Sequence, residues 1–147
     1  MKGLTLEIES SLGNVSLLAV AIHAICVHAG LGQDEAGQVE LSLVEAVTNS
    51  IQHAYHGEPN QRVIVILAFD KGCLRFDLYD TGMPMEVEQV DRLVRGQGTA
   101  ESIYLDLASI PESGRGLEII RKTMDEIVYR REGDRNHLQL TRYIRAE

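Results

Sequence analysis

Glu45-Ala-Val-Thr-Asn49-Ser-Ile-Gln-His53-Ala-Tyr55 is the stretch whose reading decides this chain. It continues an apolar pattern, Val39, Leu43, Ala46, Val47, Ser50 and Ala54, that recurs at helical spacing. A helix from about Asp34 to Tyr55 is therefore expected, opened by Asp34 and stopped by Gly57, Pro59 and Asn60. Glu45 and Asn49 are one helical turn apart, which puts their Cβ atoms about 5–6 Å from each other on one face. A carboxylate and an amide oxygen so placed suit Mg²⁺, a hard cation that takes oxygen ligands and keeps substrate phosphates as partners. The carboxylate could also accept the proton of an attacking hydroxyl. Taken alone, the same letters also describe a solvated Glu and an exposed Asn.

Outward from this helix the chain alternates clear signals. Leu4, Leu6 and Ile8 alternate with Thr5, Glu7 and Glu9, as in a strand with one buried face. Ser11, Gly13 and Asn14 break it, and Asn14 is the expected cap of a helix from about Val15 to His28. After the central helix, Val63–Phe69 and Leu74–Tyr79 form two strands around the turn Asp70-Lys71-Gly72, an antiparallel hairpin. Residues from about 83 to 113 are rich in Gly, Pro, Gln and acids, with a short helical pattern at Met85–Leu93. Connections of this length usually act as lids. A helix from Leu117 to about Met124 follows, then a hairpin of Glu126–Arg131 and His137–Ile144 around Gly133 and Asp134. The order β-α-α-β-β-lid-α-β-β predicts one domain over residues 1–147: an α+β two-layer sandwich whose mixed, mostly antiparallel sheet carries helices on one face.

Two further motifs frame the lid. Asp80-Thr81-Gly82 follows a strand, so a carboxylate there could take a hydrogen bond from an exocyclic amine while the Gly backbone passes close to a flat ligand. A simple turn would use the same residues. Gly114-Arg115-Gly116-Leu117 precedes a helix, where N–H groups and the helix dipole attract phosphate. A flexible loop would read the same way, and the run matches neither the P-loop nor the dinucleotide fingerprint.

Composition narrows the function classes. The 147 residues are 44% hydrophobic and 24% charged, with a net charge of −8. That acidity argues against a nucleic-acid surface, which needs clustered Lys and Arg. Val15–Val27 is too short to span a bilayer, and Glu7 and Glu9 ahead of it are unlike a signal peptide. Cys26 and Cys73 lack metal spacing, so two buried thiols in a reduced cytoplasm are expected. His53 and His56 have no evident third metal ligand, which favours packing or surface roles. Arg130, Arg131, Arg142 and Arg145 read as exposed strand charges.

The order of the three motifs says more than any one of them. E-x-x-x-N on a helix, D-x-G after a hairpin strand, a lid, then G-x-G-L at a helix resembles the N, G1 and G2 boxes of the GHKL superfamily, the Bergerat-fold ATPases. Within it, His53-Ala54-Tyr55 and the Ile119-Ile120-Arg121…Met124-Asp125 run are similar to the anti-sigma factor serine kinases. The resemblance implies ATP and Mg²⁺ as cofactors, Glu45 as general base and Asn49 as metal ligand. It further implies Asp80 on the adenine amine with Gly82 shaping the pocket, and Gly114, Arg115, Gly116 and Leu117 around the phosphates. Implied partners are an anti-anti-sigma (STAS-type) antagonist that is phosphorylated on serine, a sigma factor that is sequestered, and a second copy in a homodimer. Glu112 and Ser113 stand where some relatives carry an Arg before the first G2 glycine. Three alternatives remain: a non-catalytic ATP-dependent switch module, a detached histidine-kinase catalytic domain, and a structural α+β domain without nucleotide. All nucleotide readings require Asn49, Asp80 and Gly116 to converge on one cleft.

Overall fold

The structure, a computed structural model, describes residues 2–94 and 112–145. In chain order the elements are β1 (Lys2–Glu9), α1 (Leu12–His28), α2 (Gln33–Asn49), a π-helical turn (Ser50–Ala54), β2 (Arg62–Asp70), β3 (Cys73–Asp80), α3 (Val87–Val94), α4 (Glu112–Thr123), β4 (Glu126–Glu132) and β5 (Arg135–Tyr143). The five strands form one sheet in the order β1-β2-β3-β5-β4. Every pairing is antiparallel, where the sequence reading allowed a mixed sheet. Two hairpins and two antiparallel crossovers account for all of it. Of the expected lid, 83–113, α3 is described and residues 95–111 lie outside the described residues.

Period-2 alternation decides which face of the sheet is dry. Leu6, Val65, Leu78 and Leu138 stand opposite one another across four strands. Their row, with Val63, Leu67, Phe76, Leu140 and Ile127, packs into one core with Val15, Leu18 and Ile22 of α1, Val39, Leu43 and Val47 of α2, and Leu117 and Ile120 of α4. The helices thus lie on one face, and the site forms at the C-terminal end of β3, at Asp80.

Three boundaries differ from expectation. Helix α1 starts at Leu12 with Ser11 in the extended cap position, and Asn14 lies in the first turn with its amide donating to the Glu9 carbonyl at 3.3 Å. Ser11 leaves β1 in extended geometry, so the helix can open there without waiting for Asn14. Helix α2 does not run on regularly to Tyr55; from Ser50 it widens into the π turn, closed by Tyr55 N–H on the Ser50 carbonyl at 3.0 Å. Helix α4 starts at Glu112, so Gly114, Arg115 and Gly116 lie inside it rather than before it. Cys26 is buried, whereas Cys73 is only partly so, because its strand position faces the uncovered side of the sheet. Among the described residues no helix is long and apolar enough to cross a membrane.

Helices α1 and α2 are tied by His23, whose Nδ1 lies 2.7 Å from Glu40 Oε2 and whose Nε2 lies 2.9 Å from Gln33 Oε1. Those hydrogen bonds, to Gln33 and then Glu40, raise its pKa above the ordinary 6.5. A raised folded-state value means the contribution is complete below the unfolded pKa and is lost as pH rises through the folded one. We expect the urea midpoint of the wild type to exceed that of His23→Gln at pH 5.5 and the two to converge by pH 8.5. Parallel midpoints across that range would show that the imidazole does not carry the link.

Candidate functional site

A cleft of about 290 Å³ opens where α2, the π turn, the ends of β3 and β5, and the first residues of the lid segment meet. Its helix wall is Ala46, Asn49, Ser50 and His53, and its sheet wall is Leu78, Asp80, Tyr129, Asn136 and Leu138. Met83 to Glu86 and Gln89 form the rim, with Leu117 and Ile120 of α4 beneath. An apolar cleft with a few convergent polar groups, at the small end of ligand-pocket volumes, is the usual form of a small-molecule site.

Asp80 is held from three sides. Ser50 Oγ donates to its Oδ2 at 2.9 Å, and the Gly82 N–H and Asn136 Nδ2 donate to its Oδ1 at 3.0 and 2.7 Å. A carboxylate offers roughly four acceptor positions, so Oδ1 is filled and Oδ2 has about one left. The π turn makes this possible. Widening the helix there leaves the Ala54 carbonyl to accept the Met83 N–H at 2.9 Å, and π turns are frequent at functional sites for this kind of rerouting. The neighbouring Tyr55 hydroxyl accepts the Thr81 N–H at 2.8 Å and donates to the Arg62 carbonyl at 2.6 Å. Gly82 is packed so closely that an added Cβ would lie 2.5 Å from the Ala54 carbonyl carbon and overlap its oxygen. Asp80-Thr81-Gly82 is therefore strapped to the helix end, not a free turn.

Glu45 and Asn49 take their places through α2. Asn49 lines the cleft, and Glu45, one turn earlier, lies against Gly116 of α4, where an added Cβ would stand 2.5 Å from Glu45 Oε2. Glycine in a helix interior costs about 1 kcal/mol against alanine, which is why two glycines in three residues read as loop. Close packing of α4 on α2 is what the glycine permits. Because α4 begins at Glu112, the N–H groups of its first three residues, 112 to 114, come before the first intrahelical bond. Gly114 belongs to that set, while Gly116 acts as clearance for Glu45. Arg115 is exposed and Leu117 is buried in the cleft floor.

Several residues of the site escaped the sequence reading. Tyr129 and Asn136 carry no motif, although a half-buried Tyr and a buried Asn in a closing hairpin are the available signal. Burial raises the Tyr129 phenol above its ordinary value. Both His53 and His56 line the cleft, with His56 Nε2 3.0 Å from Met83 Sδ. Arg131 is not a mere surface charge: it donates to the Gly82 carbonyl and to Asn136 Oδ1, both at 2.8 Å. Arg142 is half-buried and donates to the Thr123 carbonyl at 2.8 Å. Both strand positions face the helix layer; Arg142 is drawn inward, while Arg131 stays exposed as expected and reaches these acceptors from the rim.

Comparison with known proteins agrees with this geometry. Residues 8–142 match the histidine kinase-like ATPase domain family. The chain is 26% identical to the anti-sigma F factor of Halalkalibacterium halodurans over 125 residues, 84% of this chain and 80% of that protein. It is 27% identical to the serine-protein kinase RsbW of a bovine Staphylococcus aureus strain over 146 residues, 97% of this chain and 87% of that protein. Among solved structures, that of the RsbU and RsbW domains of Rv1364c from Mycobacterium tuberculosis shares the fold, with a TM-score of 0.64 at 13% identity. That match covers 99% of this chain and 34% of the other, so this chain spans about a third of that protein.

Gly82 offers a direct check on the strap. Its neighbours are main chain, which cannot swing aside, so Gly82→Ala is expected to lower the unfolding free energy by about 1–3 kcal/mol, the cost of overpacking a filled site. Urea unfolding of the variant measures it; a value within about 0.5 kcal/mol of wild type, as for ordinary surface changes, would mean that the loop does not press on Ala54.

Proposed function

This chain belongs to the histidine kinase-like ATPase domain family, and from that premise we propose that it is an ATP-dependent protein-serine kinase and anti-sigma factor. In this reading it phosphorylates a STAS-type anti-anti-sigma antagonist and otherwise sequesters a sigma factor in the cytoplasm. One observation carries the catalytic part: Glu45 and Asn49 lie one turn apart on α2 beside the Asp80 cleft, with α4 brought against Glu45 by a glycine. A module that only binds nucleotide needs no base at that place. The names of the relatives, a serine-protein kinase and an anti-sigma factor, support the same choice.

The residues suit the ligand set. Asp80 Oδ2 retains one acceptor for the adenine amine, and Ala46, Leu78, Ile120 and Leu138 supply apolar wall. Among the described residues no cluster of three or more His, Cys, Asp or Glu forms a closed metal site. Mg²⁺ would therefore be held by the Asn49 amide oxygen together with phosphate oxygens and water, the arrangement it prefers. When bound, the ion neutralises charge building up on the transferred group. Glu45 accepts the serine proton as the hydroxyl oxygen bonds to the γ-phosphorus and the bond to the ADP oxygen breaks, leaving phosphoserine and ADP. The Gly114 N–H, in the first turn of α4, would take a phosphate oxygen as a helix N-terminus does. Arg115, or a cation lent by the antagonist, answers the need that Glu112 and Ser113 leave open.

Phosphoserine adds about two negative charges, enough to separate a docked interface by repulsion and desolvation. Helix α1 suits the sequestering role: it has no Asp, Glu, Lys or Arg, and Leu17 and Val20 are about 70% exposed. A helix apolar on every side ordinarily needs cover, which a sigma factor or a second copy in a homodimer would provide.

Calorimetry with Mg²⁺-ATP and phosphoserine formation from labelled ATP test the proposal. Glu45→Ala should keep nucleotide binding while transfer falls by about 10²–10⁴, the usual share of a general base. Asn49→Ala should lose metal-dependent affinity. Wild-type binding without phosphoserine on any antagonist would favour the switch module, and acid-labile phosphohistidine the histidine-kinase reading. Gly116→Ala separates clearance from folding. The Glu45 carboxylate is a flexible chain end and can yield, and the helix gains up to about 1 kcal/mol, so the variant should be as stable as wild type yet slower in transfer. Unchanged transfer would remove Gly116 from the account of catalysis.

A further inference from the structure

Asp80, Asn136 and Arg131 form a single row across three strands: Asp80 is the register partner of Asn136 in β5, and Asn136 that of Arg131 in β4. Asn136 is 3% exposed and its amide is fully engaged. Its Oδ1 accepts from Arg131 at 2.8 Å and from the Tyr129 hydroxyl at 3.2 Å. Its Nδ2 donates to Asp80 Oδ1 at 2.7 Å and, more weakly, to the Gly82 and Met83 carbonyls at 3.2 Å. The Tyr129 hydroxyl also accepts the Met85 N–H at 2.7 Å.

These bonds admit one orientation of the amide. Two donors, a guanidinium and a hydroxyl, converge on one side of Asn136, so its oxygen must lie there and its nitrogen must face Asp80. Oriented this way, the amide fills Asp80 Oδ1 and leaves the remaining acceptor on Oδ2 beside the cleft. We infer that Asn136, oriented by Tyr129 and Arg131, is a positioning residue that sets which purine the site accepts. The inference rests on the ATP reading of the cleft. A base that presents an amine to Oδ2 gains a hydrogen bond. One that presents a carbonyl meets a carboxylate lone pair with no donor to relieve it, because Ser50, Gly82 and Asn136 have already committed theirs. Buried groups that reject an unmatched partner in this way discriminate far more strongly than shape alone.

Releasing the amide should relax this choice. Once Asn136 is free to turn, or its nitrogen is absent, Oδ1 keeps only the Gly82 N–H, and the carboxylate can rotate, or take a water that donates to a 6-oxo base. The probes are ATP and inosine triphosphate, which differ at that exocyclic position, titrated calorimetrically with Mg²⁺ against the full chain. Wild type should prefer ATP by at least about a hundredfold, within the range of such pairs. Asn136→Ala, and the double variant Tyr129→Phe with Arg131→Ala, should narrow the preference tenfold or more, mainly by binding inosine triphosphate better relative to ATP. The double variant leaves Asn136 in place and changes one exposed and one half-buried residue, so it serves if Asn136→Ala fails to fold. Equal weakening toward both nucleotides, with the ratio kept, would mean that the row only supports the fold and would overturn the inference. No binding of ATP by wild type would instead remove the ATP reading itself.

Discussion

The carboxylate of Asp80 depends on a helix that stops being an α-helix at the right place. Had α2 continued with regular geometry past Asn49, Ser50 would not meet the end of β3, nor would Ala54 offer its carbonyl to Met83. The π turn does both within five residues. Gly82 then allows the strand exit to lie on that turn with no side chain between. Sheet, helix layer and the residues after β3 meet at this contact, around which the cleft residues are arranged. Asn49, at the last regular turn, and Glu45, one turn earlier, inherit their placement from the same helix.

The open face of the sheet shows how a two-layer fold manages without a third layer. His137 is 5% exposed although no helix covers it. Its Nε2 lies 2.7 Å from Asp77 Oδ1 and its Nδ1 3.2 Å from Glu132 Oε1, and Gln139 Nε2 donates to the same Asp77 Oδ1 at 2.8 Å. Tyr79 stacks on the His137 ring at 4.4 Å, with the Arg135 guanidinium 4.2 Å above the tyrosine. Burial by itself would raise the Asp77 carboxyl; hydrogen bonds from Gln139 and His137, with the charge of Arg75, outweigh it and hold the value below the usual one. These side chains cover the strands and satisfy one another, and they brace the β3–β5 pair from behind, opposite the Asp80–Asn136 contact.

Much of this was legible in the letters. The apolar runs Val63–Phe69 and Leu74–Tyr79 and the Asp70-Lys71-Gly72 turn settle the hairpin, and the apolar spacing of Val39, Leu43 and Val47 settles the face of α2. Motif order placed Asn49 and Asp80 in one cleft; Gly116, the third residue expected there, is not in its lining but lies against Glu45, with its neighbour Leu117 in the floor. What escaped depends on contacts between distant residues. A π turn has no propensity signature, since it appears when Ser50 and Ala54 find partners some thirty positions away. Asn136 resembles any polar strand residue until β3 and β5 are paired. Cap chemistry misplaced α1 because Ser11 and Asn14 are both good caps and only the exit of β1 chooses between them.

The glycines before Leu117 pose the same problem in reverse. Local propensity argues for loop, and the chain forms helix, because burial of Leu117 and Ile120 against α2 outweighs a cost of about 1 kcal/mol per glycine: each such side chain contributes roughly 1.5–3 kcal/mol when fully buried. That balance separates two roles that a linear motif merges. The uncapped N–H groups of α4 belong to its first turn, which includes Gly114, whereas Gly116 lies deeper, where the lack of a Cβ admits the Glu45 carboxylate. One glycine lies at the uncapped helix start and the other keeps space for the Glu45 carboxylate. The spacing of two residues follows from helix geometry, since the second position must already face α2 while the first still belongs to the uncapped end.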